Sequence, residues 1–264
     1  MIISPKHKFI FLSNRKTACS SMACALNIHL GNDGIQVGAW YDALNSGGAL
    51  NHRAKEILKS KRLRYISKAA MLTAKHLSLA ARYSVMNDLI TEYYTEHHGF
   101  DAGAHVSAVI VQREFPEFFK SFHKFCVVRN PWDRVVSDYY WRLSSRGLDD
   151  AIIGFDYYVS LLADKSLADP LRLRPVHVRN YPIYTIDGDV VVDTVIKYEN
   201  LLDDLSLLEK KLGLEINLAR FKAKTNIRPK KYNLYNELLF MKVYKIYQVE
   251  ADLHGYTGIP GFRI

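Results

Sequence analysis

Two short apolar runs, each followed by a polar turn and then a helix-like segment, constrain the fold of this chain most. Residues 8–12 predict a buried strand, and residues 20–30 predict the helix that follows it. Residues 124–128 predict a second strand, after which Asn130 and Pro131 supply the residue types of a helix cap and of a first helical position. Strands that alternate with helices indicate an α/β fold, in which a central parallel sheet is flanked by helices. The carboxyl ends of such strands meet at one sheet edge, where ligands are expected.

The composition places the chain among globular proteins. Of its 264 residues, 48% are hydrophobic and 24% are charged, so the chain can bury a large core and is neither disordered nor fibrous. Its apolar runs are far shorter than the roughly 20 residues that a membrane-spanning helix needs. The three cysteines, Cys19, Cys24 and Cys126, cannot all pair within the chain and form no metal-binding motif. We therefore expect a cytoplasmic protein, with a peripheral position at a membrane surface left open.

Positive charge is concentrated in one stretch of the chain. The protein has 36 Lys and Arg against 27 Asp and Glu, a formal charge of +9, and residues 53–82 alone carry +8. The bases of this stretch are Arg53, Lys55, Lys59, Lys61, Arg62, Arg64, Lys68, Lys75 and Arg82, with Glu56 as its acid. Such a concentration favours an anionic partner, whether an acidic substrate, a nucleic acid or a membrane surface, but a solvated helix face explains it equally well. The stretch belongs to a helical insert that we place at about residues 31–104, of which residues 31–50 are predicted to be loop.

Further elements are predicted in the second half of the chain. Residues 183–186 and 190–192 flank an Asp-Gly dipeptide, which is typical of a tight hairpin turn. Helices are predicted over residues 201–212 and 233–253, and a glycine follows each of them.

The turn after the first predicted strand offers groups that bind phosphate. Lys16 and Thr17 lie in this turn, and Ser20 and Ser21 open the predicted helix. A cation, hydroxyls and the N–H groups of a helix start therefore converge there. The turn is not a Walker loop, because that motif requires two glycines and none precedes Gly31. A Lys-Thr pair after a strand also arises by chance, so the residues alone leave this site open.

A second anion site is predicted where the second strand ends. Arg129 follows that strand directly, and Ser137 lies two helical turns further on. Because parallel strands end at the same sheet edge, Arg129 could reach a second phosphate near the first turn, as in a nucleotide with separated phosphates. The alternative is that Arg129 pairs with Asp133 and only caps the helix.

Two segments resemble those of one enzyme family. Residues 8–21, Lys-Phe-Ile-Phe-Leu-Ser-Asn-Arg-Lys-Thr-Ala-Cys-Ser-Ser, are similar to the 5′-phosphosulfate-binding segment of the sulfotransferases, in the branch of the Golgi carbohydrate enzymes and their bacterial relatives. Residues 125–139, Phe-Cys-Val-Val-Arg-Asn-Pro-Trp-Asp-Arg-Val-Val-Ser-Asp-Tyr, look like the 3′-phosphate-binding segment of that family. Shorter likenesses extend the resemblance over most of the chain, except roughly residues 31–100.

This resemblance implies a fold, a donor and a reaction. The fold is a single sulfotransferase domain over residues 1–264, with a phosphate loop like that of nucleotide kinases and with the helical, basic insert. The sulfuryl donor is 3′-phosphoadenosine 5′-phosphosulfate (PAPS), the nucleotide product is 3′-phosphoadenosine 5′-phosphate (PAP), and no metal is needed. The acceptor is a hydroxyl group, for which we expect a carbohydrate or glycolipid that is anionic or membrane-associated. We expect no specific nucleic-acid partner, and the sequence does not indicate an oligomeric state.

The resemblance also implies roles for individual residues. Lys16 neutralises the leaving phosphate oxygen, and His105, in a His-x-Ser segment 24 residues before Arg129, is the general base for the acceptor hydroxyl. His76 has a similar local pattern at a different spacing and is the second choice. The donor-binding residues are Arg15, Lys16, Thr17, Ala18, Cys19, Ser20 and Ser21 for the 5′-phosphosulfate, Arg129 and Ser137 for the 3′-phosphate, and Lys224, Thr225, Asn226 and Arg228 in a closing loop. Cys19 stands where the family often has a glycine.

The residues alone also allow two other functions. A nucleotide or small-molecule kinase with a degenerate phosphate loop would need ATP and Mg²⁺. A basic nucleic-acid-binding protein would use residues 53–82 as its footprint, although Tyr65 is the one aromatic residue there.

Overall fold

The computed structural model describes residues 1–60, 78–221, 234–259 and 262–264. It confirms a mixed α/β protein in which helices flank a sheet. The chain divides into two compact units, Met1–Val127 with Pro182–Ala223 and Val128–Tyr181 with Lys224–Ile264. The expectation of a single domain over residues 1–264 stays a prediction, because one domain can consist of two such units.

The strands are β1 (Ile2–Ser4), β2 (Phe9–Leu12), β3 (Ile35–Gln36), β4 (His123–Val128), β5 (Thr185–Ile186), β6 (Asp189–Val190), β7 (Thr194–Lys197), β8 (Gly258–Ile259) and β9 (Phe262–Arg263). The α-helices are α1 (Cys19–Asn27), α2 (Trp40–Asn45), α3 (His52–Lys59), α4 (Leu79–His98), α5 (Ala108–Glu114), α6 (Pro116–Ser121), α7 (Pro131–Ser145), α8 (Phe155–Ala163), α9 (Tyr181–Tyr184), α10 (Leu201–Leu212) and α11 (Glu237–His254). Short 3₁₀ turns span Gly103–His105, Tyr198–Asn200 and Leu218–Arg220.

The five-stranded sheet of the first unit is mixed, which corrects the expectation of a parallel sheet. Its strand order is β3-β1-β2-β4-β7, and β1 runs antiparallel to both β2 and β3. Only residues 5–8 connect β1 to β2, and a connection this short forces antiparallel pairing. β2 and β4 pair in parallel as predicted, with Phe9 opposite His123 and Leu12 opposite Cys126. Leu12 and Cys126 therefore lie side by side toward one sheet edge.

The strands at the centre of this sheet are buried on both faces. Phe9 and Phe11 of β2 and Phe125 of β4 are inaccessible to solvent. The ring of Phe125 lies 5.2 Å from that of Phe11 and 5.8 Å from that of Phe9, measured between centroids. Burial on both faces explains why the two strands are continuous apolar runs in the sequence instead of alternating patterns.

Residues 31–50, which were predicted to be loop, contain β3 and α2. The side chain of Asn27 donates to Gln36 Oε1 (3.0 Å), and the indole of Trp40 donates to the Gln36 carbonyl (2.9 Å). These buried bonds stabilise elements that are too short to show a hydrophobic period. Further along the insert, α3 and α4 are helical as predicted, and α4 ends at Gly99 with φ of 65°.

The predicted hairpin and the helix over residues 201–212 are confirmed. β5 and β6 pair antiparallel around Asp187 and Gly188, whose φ angles of 52° and 93° suit a two-residue hairpin turn. Helix α10 ends at Gly213, where φ is 63°. Helix α9 takes the place of the start of the first predicted hairpin strand, which is therefore shorter than expected.

The second unit packs α7, α8 and α11 around an aromatic core. Trp132 stacks on Phe240 with ring centroids 4.6 Å apart, and its indole donates to the Phe240 carbonyl (3.0 Å). A buried ion pair of 3.0 Å joins Arg134 to Glu250. The helix predicted over residues 233–253 begins only at Glu237, because Asn236 caps it in an extended conformation, and it ends at His254; residue 233 itself lies outside the described residues. Within the described ranges, no helix combines the length and apolarity needed to cross a membrane.

Candidate functional site

The turn between β2 and α1 holds two non-glycine residues in the left-handed conformation. Lys16 and Ala18 both have φ of 59°. This conformation costs a non-glycine residue roughly 1–2 kcal/mol, so the surrounding structure has to impose it. Arg15 and Lys16 are half-buried. Backbone strain of this kind clusters at ligand sites, which makes the turn a candidate site on structural grounds.

Buried side chains fix this turn to the sheet. Asn14 is fully buried, and its Nδ2 donates to the Val127 carbonyl of β4 (2.9 Å). The Thr17 hydroxyl, which is also fully buried, donates to the Asn14 carbonyl (3.0 Å). Burial raises the pKa of the Cys126 thiol, and the side chain of Asn14 opposes that shift. Thr17 therefore supports the turn with its side chain, and its contribution to phosphate binding would come from its backbone N–H.

Helix α1 starts at this turn without a side-chain cap. Its N-cap residue is Ala18, whose methyl group cannot accept a hydrogen bond, and the first turn contains no Asp or Glu. The partial positive charge of the first N–H groups is therefore not offset by an acid of that turn. Ser20 and Ser21 are largely buried, and Cys19 is half-buried. A helix start of this composition favours an anion as its ligand.

The histidine predicted to be the general base lies against the same turn. His105 ends the 3₁₀ turn Gly103–His105, and its Nδ1 lies 2.6 Å from the carbonyl oxygen of Ser13, 92 residues earlier. A carbonyl oxygen only accepts hydrogen bonds, so Nδ1 carries the hydrogen and a neutral ring has its lone pair on Nε2. The structure thus brings His105 to the turn that contains Lys16.

The predicted 3′-phosphate residues lie in the second unit, at the start of α7. Only 5% of the Arg129 side chain is exposed, and its Nε and Nη2 lie 2.7 Å and 2.5 Å from one carboxylate oxygen of Asp133. Asn130 caps the helix by accepting from the backbone N–H groups of Trp132 (3.1 Å) and Asp133 (3.4 Å). Ser137 is half-buried. The pairing of Arg129 with Asp133, which the sequence offered as an alternative, is therefore confirmed.

Other predicted residues lie outside the described part of the chain. They are Lys61, Arg62, Arg64, Lys68, Lys75 and His76 of the insert, and Lys224, Thr225, Asn226 and Arg228 of the closing loop. Among the described bases of the insert, Arg53 donates its Nε to the Asp33 carbonyl (3.0 Å), and Lys59 pairs with Glu56 (3.1 Å). Both contacts are made within the insert.

Sequence reasoning gave no functional role to Ser13 and Asn14, although both support the candidate site. Asn14 joins the turn to β4, and Ser13 accepts from His105. The sequence signal that points to them is their position directly after a buried strand.

A metal-binding group is absent from the described part of the chain. In residues 1–60, 78–221, 234–259 and 262–264, no group of three or more His, Cys, Asp or Glu side chains could hold a metal ion.

Comparison with curated proteins gives a relative from an archaeon. A protein of Archaeoglobus fulgidus, described as uncharacterized, is 31% identical over 110 residues, which cover 40% of this chain and 80% of the archaeal protein. No family model matches the sequence, and no solved structure matches it.

Proposed function

This chain belongs to the same family as the archaeal protein. We propose that it is a sulfotransferase, which moves a sulfuryl group from PAPS to a hydroxyl group of a carbohydrate or glycolipid. The observation that carries the proposal is the contact of 2.6 Å between His105 Nδ1 and the Ser13 carbonyl. It puts the residue type that a hydroxyl acceptor needs as a base beside a turn that suits an anionic donor. The resemblance of residues 8–21 and 125–139 to the sulfotransferases supports the same reaction.

The residue types of the first turn fit the phosphosulfate end of the donor. Residues 14–21 supply an arginine, a lysine, the hydroxyl groups of Ser20 and Ser21 and the N–H groups of a helix start, and they contain no carboxylate. Left-handed residues, such as Lys16 and Ala18, also occur in the backbone nests that bind phosphates. The charged side chains of this turn, Arg15 and Lys16, are therefore both suited to an anion.

In the proposed reaction, an oxygen of the acceptor attacks the sulfur while the bond from sulfur to the bridging oxygen of the 5′-phosphate breaks. Lys16 stabilises the negative charge that develops on this bridging oxygen. His105 takes the proton of the acceptor hydroxyl on Nε2, because Nδ1 donates to Ser13. The products are a sulfate ester, PAP and a protonated His105.

The bond to Ser13 serves both protonation states of His105. A backbone carbonyl accepts from Nδ1 whether the ring is neutral or positive, so the ring keeps its orientation while Nε2 gains the proton. Fixing the tautomer in this way leaves Nε2 as the ring nitrogen that takes the proton of the substrate hydroxyl.

The proposal gives the 3′-phosphate to Arg129 and Ser137 of the second unit. Arginine binds phosphate through two parallel N–H groups, and the ion pair with Asp133 holds the guanidinium in place before the ligand binds. Lys224, Thr225, Asn226 and Arg228 would close over the nucleotide, as the resemblance implies.

The acceptor is assigned to the side of the insert. The turn that carries His105 packs on α4 of the insert, because a β-carbon built on Gly103 would lie 3.0 Å from Cγ2 of Thr91. A substrate hydroxyl that reaches His105 would therefore lie near an element of the insert. The positive charge that the sequence concentrates in residues 53–82 favours an anionic carbohydrate or glycolipid as the acceptor.

Calorimetry with PAP tests donor binding. We expect PAP to bind to the whole chain without added metal, and ATP with Mg²⁺ to bind more weakly, because the turn lacks the glycines of a Walker loop. Transfer of a radiolabelled sulfuryl group to a panel of hydroxylated carbohydrates then tests the reaction. The His105→Ala variant should bind PAP like the wild type and lose about 10²–10⁴-fold in kcat.

Three results would contradict the proposal. They are no affinity of the wild-type protein for PAP, binding of ATP with Mg²⁺ in place of PAP, and full turnover by the His105→Ala variant. The second result would favour a kinase, and steeply salt-dependent DNA binding without affinity for PAP would favour a nucleic-acid-binding protein.

A further inference from the structure

Gly38 lies in close contact with the turn that carries His105. Its φ is 75°, and a β-carbon built on it would lie 2.5 Å from the β-carbon of Ala104 and 3.6 Å from its α-carbon. Carbon atoms in favourable contact are about 3.5–4.0 Å apart. The left-handed backbone and the close approach therefore both require glycine at this position.

The segment around Gly38 is held rigidly. Gln36 Nε2 donates to the Gly38 carbonyl (3.3 Å), and the indole of Trp40 donates to the Gln36 carbonyl (2.9 Å). The backbone N–H of Trp40 donates to Asn87 Oδ1 of α4 (3.1 Å). Since Gln36 and Trp40 are buried, the segment cannot easily move away from Ala104.

The turn that contains Ala104 is equally constrained on its other sides. The Met1 nitrogen donates to the carbonyls of Val37 (3.2 Å) and Ala104 (2.8 Å), which ties this turn to the segment of Gly38. The next residue, His105, donates to Ser13. A displacement of Ala104 by even one ångström would therefore be passed on to the imidazole.

We propose that Gly38 is a positioning residue for His105. The missing side chain at residue 38 lets the turn Gly103–His105 approach the segment between β3 and α2 closely enough for His105 Nδ1 to bond to Ser13. This inference rests on the proposed function, in which His105 is the general base. It gives a role to residues 31–50, a part of the chain that the resemblance to the sulfotransferases does not cover.

The Gly38→Ala variant tests this role. The added methyl group pushes Ala104 away and misplaces His105, so we expect kcat to fall about 10- to 100-fold, as small displacements of a catalytic group do. The affinity for PAP should stay as in the wild type, because the turn between β2 and α1 is fixed by Asn14 and Thr17, whose bonds do not involve Gly38. A loss of kcat with unchanged donor affinity would not follow from general unfolding.

Matched variants separate the contact from backbone strain. Gly47 has φ of 85°, and within the described residues a β-carbon there would meet nothing within 4 Å, so Gly47→Ala carries a similar strain without a clash. It should keep the kcat of the wild type. Ala104→Gly removes the atom that the new methyl group would meet, so it should be active alone and should restore most of the kcat lost by Gly38→Ala. Ala104→Val adds bulk from the opposite side and should lower kcat like Gly38→Ala.

A structural measurement distinguishes failure of this inference from failure of the proposed function. The ring-nitrogen NMR signals of His105, assigned with His105→Asn, report the Nδ1–H tautomer, and we expect Gly38→Ala to change them while Gly47→Ala does not. If the wild type transfers no sulfuryl group, the proposed function fails, but these signals still show whether Gly38 positions His105. Wild-type signals and kcat in both Gly38→Ala and Ala104→Val would overturn the inference, as would an equal loss of kcat in Gly47→Ala.

Discussion

The turn between β2 and α1 and the turn between β4 and α7 begin alike but present different helix starts. Both follow a buried apolar strand and lead into a helix within a few residues. The first has two left-handed residues and Ala18 as N-cap, so no cap side chain accepts from the first N–H groups of α1. The second has an Asn130 cap, Pro131 at the first helical position and Asp133 in the first turn.

The start of α1 therefore suits an anionic ligand, whereas the start of α7 is already stabilised by its own side chains. At α7, the Asn130 side chain and the Asp133 carboxylate already complement the N–H groups and the positive end of the helix. At α1, an anion can supply that complement. A phosphate near the second turn would therefore depend on the Arg129 guanidinium, whereas one at the first turn can use backbone, cation and helix start together.

Of the changes at these two turns, removal of the cation of the first turn should have the largest effect. Lys16→Ala should lower kcat about 10²–10³-fold, because charge that develops on the leaving oxygen loses its stabilising group. Sulfuryl transfer at saturating donor measures this. Lys8→Ala is the matched control, since Lys8 also has positive φ, 51°, but lies at the opposite end of β2. An equal loss in both variants would mean that backbone strain, and not the ammonium group, causes the effect.

At the second turn we expect a smaller effect, a loss of nucleotide affinity that is specific for the 3′-phosphate. Arg129→Ala should weaken PAP binding about 10- to 100-fold and leave the affinity for adenosine 5′-monophosphate unchanged, because the latter lacks the 3′-phosphate. Calorimetry with both nucleotides measures the difference. Asp133→Asn removes the ion pair but keeps the guanidinium and an amide oxygen that can accept from it, so it should weaken PAP binding much less than Arg129→Ala does. If it weakens binding as much as Arg129→Ala does, Arg129 serves the helix start alone.

Removal of the Asn130 cap of α7 should change the stability of the protein and not its affinity for PAP. Asn130→Ala should lower the free energy of unfolding by about 1 kcal/mol, because the N–H groups of Trp132 and Asp133 lose their acceptor. Urea denaturation measures this change. Asn130→Asp keeps an acceptor oxygen for the cap and loses the bond from Nδ2 to the Gly258 carbonyl (2.7 Å). If Asn130→Asp costs as much as Asn130→Ala, the bond to Gly258 and not the cap accounts for the loss.

The two turns also differ in how much of them the sequence could predict. The start of α7 was predicted correctly because its signals, Asn130 and Pro131, are local residue types with a direct geometric meaning. The left-handed residues Lys16 and Ala18 carry no such signal, since a sequence normally marks this conformation with glycine. The contact of His105 with Ser13 spans 92 residues, and only the resemblance suggested His105.

The errors in the fold have a related physical origin. β3 and α2 were missed because buried side-chain bonds between distant residues, such as that of Asn27 with Gln36, stabilise them and no hydrophobic period marks them. The sheet was expected to be parallel because β2 and β4 were the strands with a clear pattern, and they do pair in parallel. The antiparallel β1 was not predicted, because it is only three residues long and too short to show a hydrophobic pattern.

The smallest effect is expected at the amino end of β4, away from the turn that follows this strand. His123 donates to or accepts from the Thr194 hydroxyl at 2.9 Å, and burial, together with the positive charges of Lys211 and Lys124, holds its pKa below the ordinary histidine value. The neighbouring carboxylate of Asp193 opposes this shift without reversing it. The unfolded chain therefore binds a proton at His123 more readily than the folded protein does.

This lowered pKa fixes the sign of a pH effect on stability. The free energy of unfolding should decrease as the pH falls below about 6.5, the ordinary histidine pKa, and the loss is complete once the pH is below the pKa of folded His123. Urea denaturation of the wild type and His123→Gln, between about pH 7.5 and pH 5.5, isolates this contribution, and the variant should show the flatter dependence. His7, whose pKa is lowered by burial and by the charges of Lys6 and His29, acts in the same direction and remains in both proteins. Since His123 lies at the end of β4 that binds no phosphate in our proposal, His123→Gln should leave PAP affinity unchanged; a weakened affinity would show that the two ends of this strand do not act separately.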